Sequence, residues 1–362
     1  MRSTGRARHR VMALMTTLTM LAATMPMTSV IAAEEPTARA APRVGRLFLD
    51  TNGADAYAQL DLRSGTLTPL PGSALSRRRG RDAWHGGATA AAFVRTDQYG
   101  SLAFLESRRF AQIGQVDLGA FAGSGDKPRF SPSVRVSPDG QLVLGYLWAS
   151  QNSRQPRLFV KTLNGRGVDG DSPLDYDRAA YAAAADWLPD GRYVYLAGDQ
   201  LVVAKPGAGI QQRLPLQLPA GIASTNAELR ASPDGRRALL TLNTPLGRAN
   251  FRSLYTVGLD DGVVRPLTRP SPEVVRMGVS LGVTGATWSP DGKWVAFLTR
   301  GVNSAMGAGS AMPMCQPVMA VPVDGSTWSV DYGRPGEFAL PDPRSPGRPL
   351  VGCATNELNW LP

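Results

Sequence analysis

Four times the chain repeats an apolar run, Pro-Asp-Gly and a second apolar run. The copies read VRVSPDGQLVLGY from Val134, ADWLPDGRYVYLAG from Ala185, LRASPDGRRALLTL from Leu229 and ATWSPDGKWVAFLT from Ala286. A unit that recurs every few tens of residues cannot bury its apolar faces alone, and stacking against further copies supplies the missing partner. In each turn Pro fixes φ, Asp suits the next position, and Gly takes the positive φ that rejoins two antiparallel strands. The flanks are β-branched, aromatic or leucine-rich and too short for helices. Being apolar on both faces, as in Leu142-Val143-Leu144, they predict sheets sandwiched between sheets.

A degenerate fifth copy starts at Phe93, with Asp97 and Gly100 in its turn. The turn glycines are then Gly100, Gly140, Gly191, Gly235 and Gly292, spaced by 40, 51, 44 and 57 residues. Each interval suits one four-stranded sheet with its loops. A second, outer hairpin alternates with the first: AQLDLRSGTLTPL from Ala58, LFVKTLNGRG from Leu158, LYTVGLDDGVVRPL from Leu254 and VMAVPVDGSTWSV from Val318. Weaker versions lie near Val116 and Val202. The segment Asn356–Pro362 resembles an inner hairpin cut before its Asp-Gly, while Val44–Leu49 reads as a lone strand at the other end. The expectation is an all-β, six-bladed β-propeller closed by pairing of the C-terminal strand with the N-terminal blade, which removes exposed sheet edges. These residues resemble the WSPDG-type repeat of the TolB-like β-propellers, relatives of the WD-repeat folds, over about residues 44–362. The resemblance implies a propeller fold and leaves function open. TolB carries an additional domain ahead of its propeller that is not expected here, which argues against a direct TolB role.

Residues 1–33 read as a signal peptide. Arg2, Arg6, Arg8 and Arg10 form a basic start, an apolar stretch runs from Val11 to about Ala23, and Val30–Ala33 offers a small-residue cleavage site. Residues 34–43 form a short linker, and 44–362 the propeller. No later segment is expected to span a bilayer. Without its leader the chain keeps 35 basic against 29 acidic residues, a formal +6. In a periplasmic or secreted protein that excess favours an acidic envelope protein or an anionic glycan as partner and disfavours nucleic acid. Cys315 and Cys353 are the only cysteines. They predict one disulfide in an oxidising compartment.

Strand parity puts the short turns on one face and the long segments 72–92, 165–185, 267–285, 299–317 and 326–355 on the other. The densest charge cluster, Arg77, Arg78, Arg79 and Arg81, is followed by Trp84 and His85. Together they form the candidate binding patch for an anionic partner, against the plainer reading of a solvated loop. Catalytic residues are not assigned. Once His9 leaves with the leader, His85 is the one remaining histidine, which excludes a multi-histidine metal centre. The string Gly278–Gly282 matches a nucleophile elbow but lacks the strand–helix setting that pattern requires. Asp97, Asp139, Asp190, Asp234 and Asp291 recur with the turns and read as structural. Asp169, Asp171, Asp175 and Asp177 offer oxygen ligands to calcium without EF-hand spacing, so no cofactor is expected. Trp187, Trp288, Trp294 and Trp360 read as core, and Trp148 as a possible ligand contact. The chain is read as a monomeric, exported binding or scaffold protein of the bacterial envelope. The alternative is a hydrolase or lyase using paired carboxylates at the propeller channel.

Overall fold

Short turn-linked strands follow one another along the chain as antiparallel meanders. The structure, a computed structural model, describes residues 43–50, 57–69, 82–85, 92–97, 101–106, 111–117, 129–130, 134–148, 156–164, 184–246, 249–277, 281–301, 315–330, 338–353 and 358–362. All lie in one compact unit spanning Ala38–Pro362. The first sheet holds β1 (Arg46–Asp50), β2 (Tyr57–Asp61) and β3 (Leu67–Pro69). The second runs β4 (Asp82–His85), β5 (Ala92–Asp97), β6 (Ser101–Glu106) and β7 (Gln112–Asp117). In the third, β8 (Arg129–Phe130) and β9 (Arg135–Val136) both pair with β10 (Leu142–Trp148), which pairs in turn with β11 (Pro156–Thr162). The fourth is β12 (Ala185–Trp187), β13 (Tyr193–Ala197), β14 (Gln200–Lys205) and β15 (Gly209–Pro215).

Next come β16 (Ala223–Ala231), β17 (Arg237–Leu246), β18 (Ala249–Gly258) and β19 (Val264–Pro266), then β20 (Thr268–Pro270) and a short helix, α1 (Pro272–Met277). The last group is β21 (Leu281–Trp288), β22 (Trp294–Gly301), β23 (Cys315–Pro322), β24 (Trp328–Val330), β25 (Val351–Cys353) and β26 (Asn359–Leu361). β26 returns to β1, with Arg46 opposite Leu361, Leu47 opposite Trp360 and Phe48 opposite Asn359. Among the described residues the architecture is all-β apart from α1.

The core lies between sheets. Phe48 and Leu361 pack on Ala103 and Leu105 of the second sheet. Leu144, Leu158 and Val160 pack on Trp187, Tyr195 and Val202. Val194, Leu196 and Val203 meet Leu229, Leu240 and Val257. Leu239, Phe251 and Leu254 meet Val283, Trp288 and Phe297. Trp294, Leu298 and Val318 meet Leu47, Leu60 and Trp360 of the first sheet. Gly114 on β7 approaches the chain after β11 so closely that a Cβ there would come within 2.7 Å of the Leu163 carbonyl oxygen. No side chain fits at that point.

The inner turns are built around a buried hydroxyl. Ser137, Ser232 and Ser289 each donate to the Asp two residues on, and each accepts the N–H five residues on, from Leu142, Arg237 and Trp294 at 2.9, 3.0 and 2.9 Å. Gly140, Gly235 and Gly292 hold φ near 70° and close the turn onto the serine carbonyl at 2.9 Å. Leu188 has no hydroxyl, and its hairpin is one residue tighter. Its N–H bonds the Arg192 carbonyl, and Trp187 faces Tyr193, whereas Val136 faces Val143 across the longer loop. The serine therefore absorbs one extra residue. Ser289→Ala leaves the Trp294 N–H without that acceptor and is expected to cost ~1–3 kcal/mol. Urea unfolding of the variant checks it, and an unchanged midpoint would sink this role.

Four expectations are corrected. Trp328–Val330 does not pair with β23 as the outer strand of its hairpin; it pairs in parallel with β20, Thr268 opposite Trp328. Its burial explains this, because Trp328 stacks edge-on against Phe338 and donates to the Pro322 carbonyl at 2.8 Å. The edge of β23 is taken instead by Ala339 and β25. The sheets containing β18 and β21 are not separate, since Arg252 and Gly282 pair in parallel. Part of 267–285, read as a long loop, is β20, α1 and the start of β21. Finally, 72–92 is not wholly a loop segment of one face. Asp82 lies opposite Asp97, at the turn end of β5, and β4 runs from there back to His85 opposite Val94.

Candidate functional site

Each sheet has an inner strand, and these strands touch in succession: β5 lies against β9, β9 against β12, β12 against β16, β16 against β21 and β21 against β26. Two residues before each turn they carry equivalent positions: Arg95, Arg135, Asp186, Arg230, Thr287 and Asn359. All six are polar, although their neighbours along the strands are mostly apolar. At Arg135, Asp186 and Thr287 the side chain reaches from one inner strand to the next. Asp186 accepts the N–H of Ala231 at 2.9 Å and of Trp187 at 2.9 Å, and lies 3.9 Å from the Arg135 Nε. The Thr287 hydroxyl accepts the Trp360 N–H at 3.2 Å. The tryptophans work in the opposite direction. Trp187 Nε1 donates to the Arg135 carbonyl at 3.0 Å, and Trp288 Nε1 to the Arg230 carbonyl at 3.1 Å. Trp360 Nε1 reaches the Val44 carbonyl at 2.8 Å. Trp187, Trp288, Trp294 and Trp360 are all buried.

This girdle of polar positions is the feature that reading each repeat by itself misses. Aligning the copies on their glycines reveals it, because an arginine or aspartate between two apolar residues is unexpected on a sandwiched strand. Arg135 is only 3% exposed. A guanidinium at that depth needs partners, and Asp186 and the Val134 carbonyl at 2.9 Å supply two.

The predicted binding patch is only partly placed. Arg77, Arg78, Arg79 and Arg81 lie outside the described residues. Trp84 and His85 are on β4, which pairs with the edge of β5 opposite to β6. That edge is the inner one, so the backbone of Trp84 lies directly opposite the girdle position Arg95. Asp169, Asp171, Asp175 and Asp177 also lie outside the described residues. Trp148 ends β10, opposite Pro156. Gly282 of the elbow-like string belongs to β21, and Ser280 is outside the described residues.

The turn aspartates hold backbone. Asp139, Asp190, Asp234 and Asp291 accept the N–H two residues on, from Gln141, Arg192, Arg236 and Lys293, at 3.0 to 3.1 Å. Asp97 is the last residue of β5. Asp61 and Asp342 do similar work outside the repeat, and Asp342 also holds Arg344 through paired bonds of 2.9 Å. Burial pushes the Asp234 carboxyl up, but the Ser232 hydroxyl, the Arg236 N–H and the flanking arginines outweigh it and hold the group below its usual value. Burial likewise opposes ionisation of Asp342, and Arg344 overcomes it. The Ser64 N–H and hydroxyl lower Asp61. Depressed carboxyls stabilise the fold above their unfolded pKa of ~3.9, and that contribution is lost as pH falls through the lower folded values. Stability is therefore expected to be flat in these groups above about pH 5 and to drop below about pH 4. Asp342→Asn should flatten part of that drop in melts taken across pH 3–6.

Cys315 and Cys353 form a disulfide joining directly opposed residues of β23 and β25. Among the described residues no helix is long and apolar enough to cross a membrane. No protein-family model and no curated protein matches the chain. Among solved structures it is similar to a TolB candidate from Agrobacterium tumefaciens, with 15% identity over 79% of this chain and 87% of that one and a TM-score of 0.42. It is also similar to a protein of unknown function from Bacteroides caccae (10% identity, 87% and 98% covered, TM-score 0.44) and to the dihydro-heme d1 dehydrogenase NirN (15% identity, 82% and 55% covered, TM-score 0.39).

Proposed function

We propose that this chain is an exported, monomeric six-bladed propeller that binds an acidic envelope protein or an anionic glycan, with Arg77, Arg78, Arg79, Arg81, Trp84 and His85 in the contact. The successive packing of sheet on sheet and the return of β26 to β1 support the closed six-bladed reading. The disulfide fits an oxidising compartment outside the cytosol, consistent with residues 1–33 acting as a leader. The observation that carries the binding reading is β4. It brings Trp84 and His85 onto the inner edge of the sheet array immediately after the arginine-rich run. A basic cluster with an aromatic beside it suits anionic groups, since arginine recognises carboxylate, sulfate and phosphate in a planar, two-point fashion.

The test is chemical crosslinking of the full exported chain in the envelope fraction of the producing organism. It runs beside a variant with Arg77, Arg78, Arg79 and Arg81 changed to Ser. A partner captured by the native chain, released by salt and lost in the variant is the expected result. Equal capture by both proteins would overturn the assignment of the patch.

A further inference from the structure

The fourth and fifth sheets meet at their turn ends around a cleft of about 320 Å³. Leu188, Val203 and Leu259, all buried, supply its apolar lining, and Gln212, Arg236 and Asp260 supply polar groups. We propose that this cleft binds a free α-amino acid with an apolar side chain, its carboxylate on Arg236 and its ammonium on Asp260. The inference rests neither on ring closure nor on the Arg77–Arg81 patch, because every residue in it belongs to two neighbouring sheets and their turns.

The two charged residues are held side by side by the backbone. Leu259 N–H donates to the Arg236 carbonyl at 2.9 Å, which sets Asp260 next to the arginine. Among the described residues, neither the Arg236 guanidinium nor the Asp260 carboxylate makes a hydrogen bond or an ion pair. The charges around them are already engaged. Arg192 is held by Asp190 at 2.7 Å, and Arg237 lies over the Trp288 ring with Asp234 at 4.0 Å. Asp261, not Asp260, braces the outer turn, accepting the Val263 N–H at 2.9 Å. Nor does the hairpin link require the charges. At the corresponding place in the third sheet, Leu163 N–H donates to the Gln141 carbonyl at 3.2 Å, and Gln141 and Asn164 line the cleft there. Two neutral amides stand where the fifth sheet has a guanidinium and a carboxylate. A cation and an anion beside an apolar hollow suit a ligand that carries both charges and an apolar group. The volume is at the small end of ligand pockets, which span ~300–1,000 Å³, and so suits a single amino acid.

Titration calorimetry of the full chain with L-leucine, N-acetyl-leucine and leucinamide tests the site. The native chain should bind leucine, and should bind each single-charge relative at least ~10-fold more weakly. Arg236→Gln should weaken leucine binding by a similar factor and erase the difference between leucine and leucinamide. Asp260→Asn should erase the difference between leucine and N-acetyl-leucine. Both side chains are exposed, so the two variants keep the fold. Gln141→Ala, in the corresponding cleft of the third sheet, should leave leucine binding unchanged. Three results overturn the proposal. One is no leucine binding at millimolar concentration. Another is equal affinity of the native chain for leucine and either relative. The third is native affinity for leucine in both R236Q and D260N.

Discussion

Removing Glu357–Pro362 should abolish cooperative folding. The deletion takes away β26, whose three residues face Arg46, Leu47 and Phe48, and with it the buried side chains of Leu358, Trp360 and Leu361. It also removes bonds in both directions around the array. Leu358 N–H donates to the Gly285 carbonyl at 3.2 Å and Trp360 N–H to Thr287 at 3.2 Å. Trp360 Nε1 donates to Val44 at 2.8 Å, and the Pro362 carbonyl accepts from Arg46 Nε at 3.1 Å. Without them, Leu47 and Leu60 lose their neighbour in the cluster they share with Trp294 and Leu298. Trp360→Ala alone should cost ~3–5 kcal/mol, a large share of the ~5–15 kcal/mol that holds a typical domain. The point variant is expected to lower the melting midpoint by about 10 °C, and the deletion to leave no sharp transition in circular dichroism. An unchanged midpoint in the deletion would refute the closing role of β26.

Breaking the disulfide is the next largest effect. Cys315 and Cys353 are 38 residues apart, and opening a loop of that size returns ~4 kcal/mol of chain entropy to the unfolded state. The loop contains β24 and the stretch in which Val318 N–H bonds the Leu350 carbonyl and Leu340 N–H bonds the Val318 carbonyl, each at 2.7 Å. Those bonds remain when the sulfurs part, so the reduced protein should fold but unfold at lower urea. Hydrogen exchange should rise first at 338–353. Cys315→Ser with Cys353→Ser should behave as the reduced native chain does. Equal urea midpoints for oxidised and reduced protein would show that the bridge adds no stability.

The repeat made much of this legible. Pro-Asp-Gly located the inner turns, the tryptophans were assigned to the core, and the last strand was matched to the first by its likeness to Asp186–Pro189. Each of these is set by local chemistry: a turn glycine with positive φ, or a side chain too large and apolar for the surface. What escaped is decided by competition between distant partners. Trp328–Val330 has the pattern of an outer strand, yet β20 and Phe338 offer its tryptophan a deeper site than the β23 edge. Leu188 differs from three serines by a hydroxyl, and the resulting change of register follows only from where that hydroxyl bonds. β4 carries no strand pattern in DAWH; it is defined by the free edge of β5. The girdle was legible in principle but needed the copies to be aligned with one another.

The pairing of β1 with β26 also sets the timing of assembly. Leu47 must wait for Trp360, more than three hundred residues later in synthesis, before the first sheet has its inner strand. The sheets between them can form earlier as hairpin-linked units, but the junction of first and last is a contact of very long range and is expected to be the slow step. A chain that cannot complete itself until its final strand is available stays partly open while it is being made.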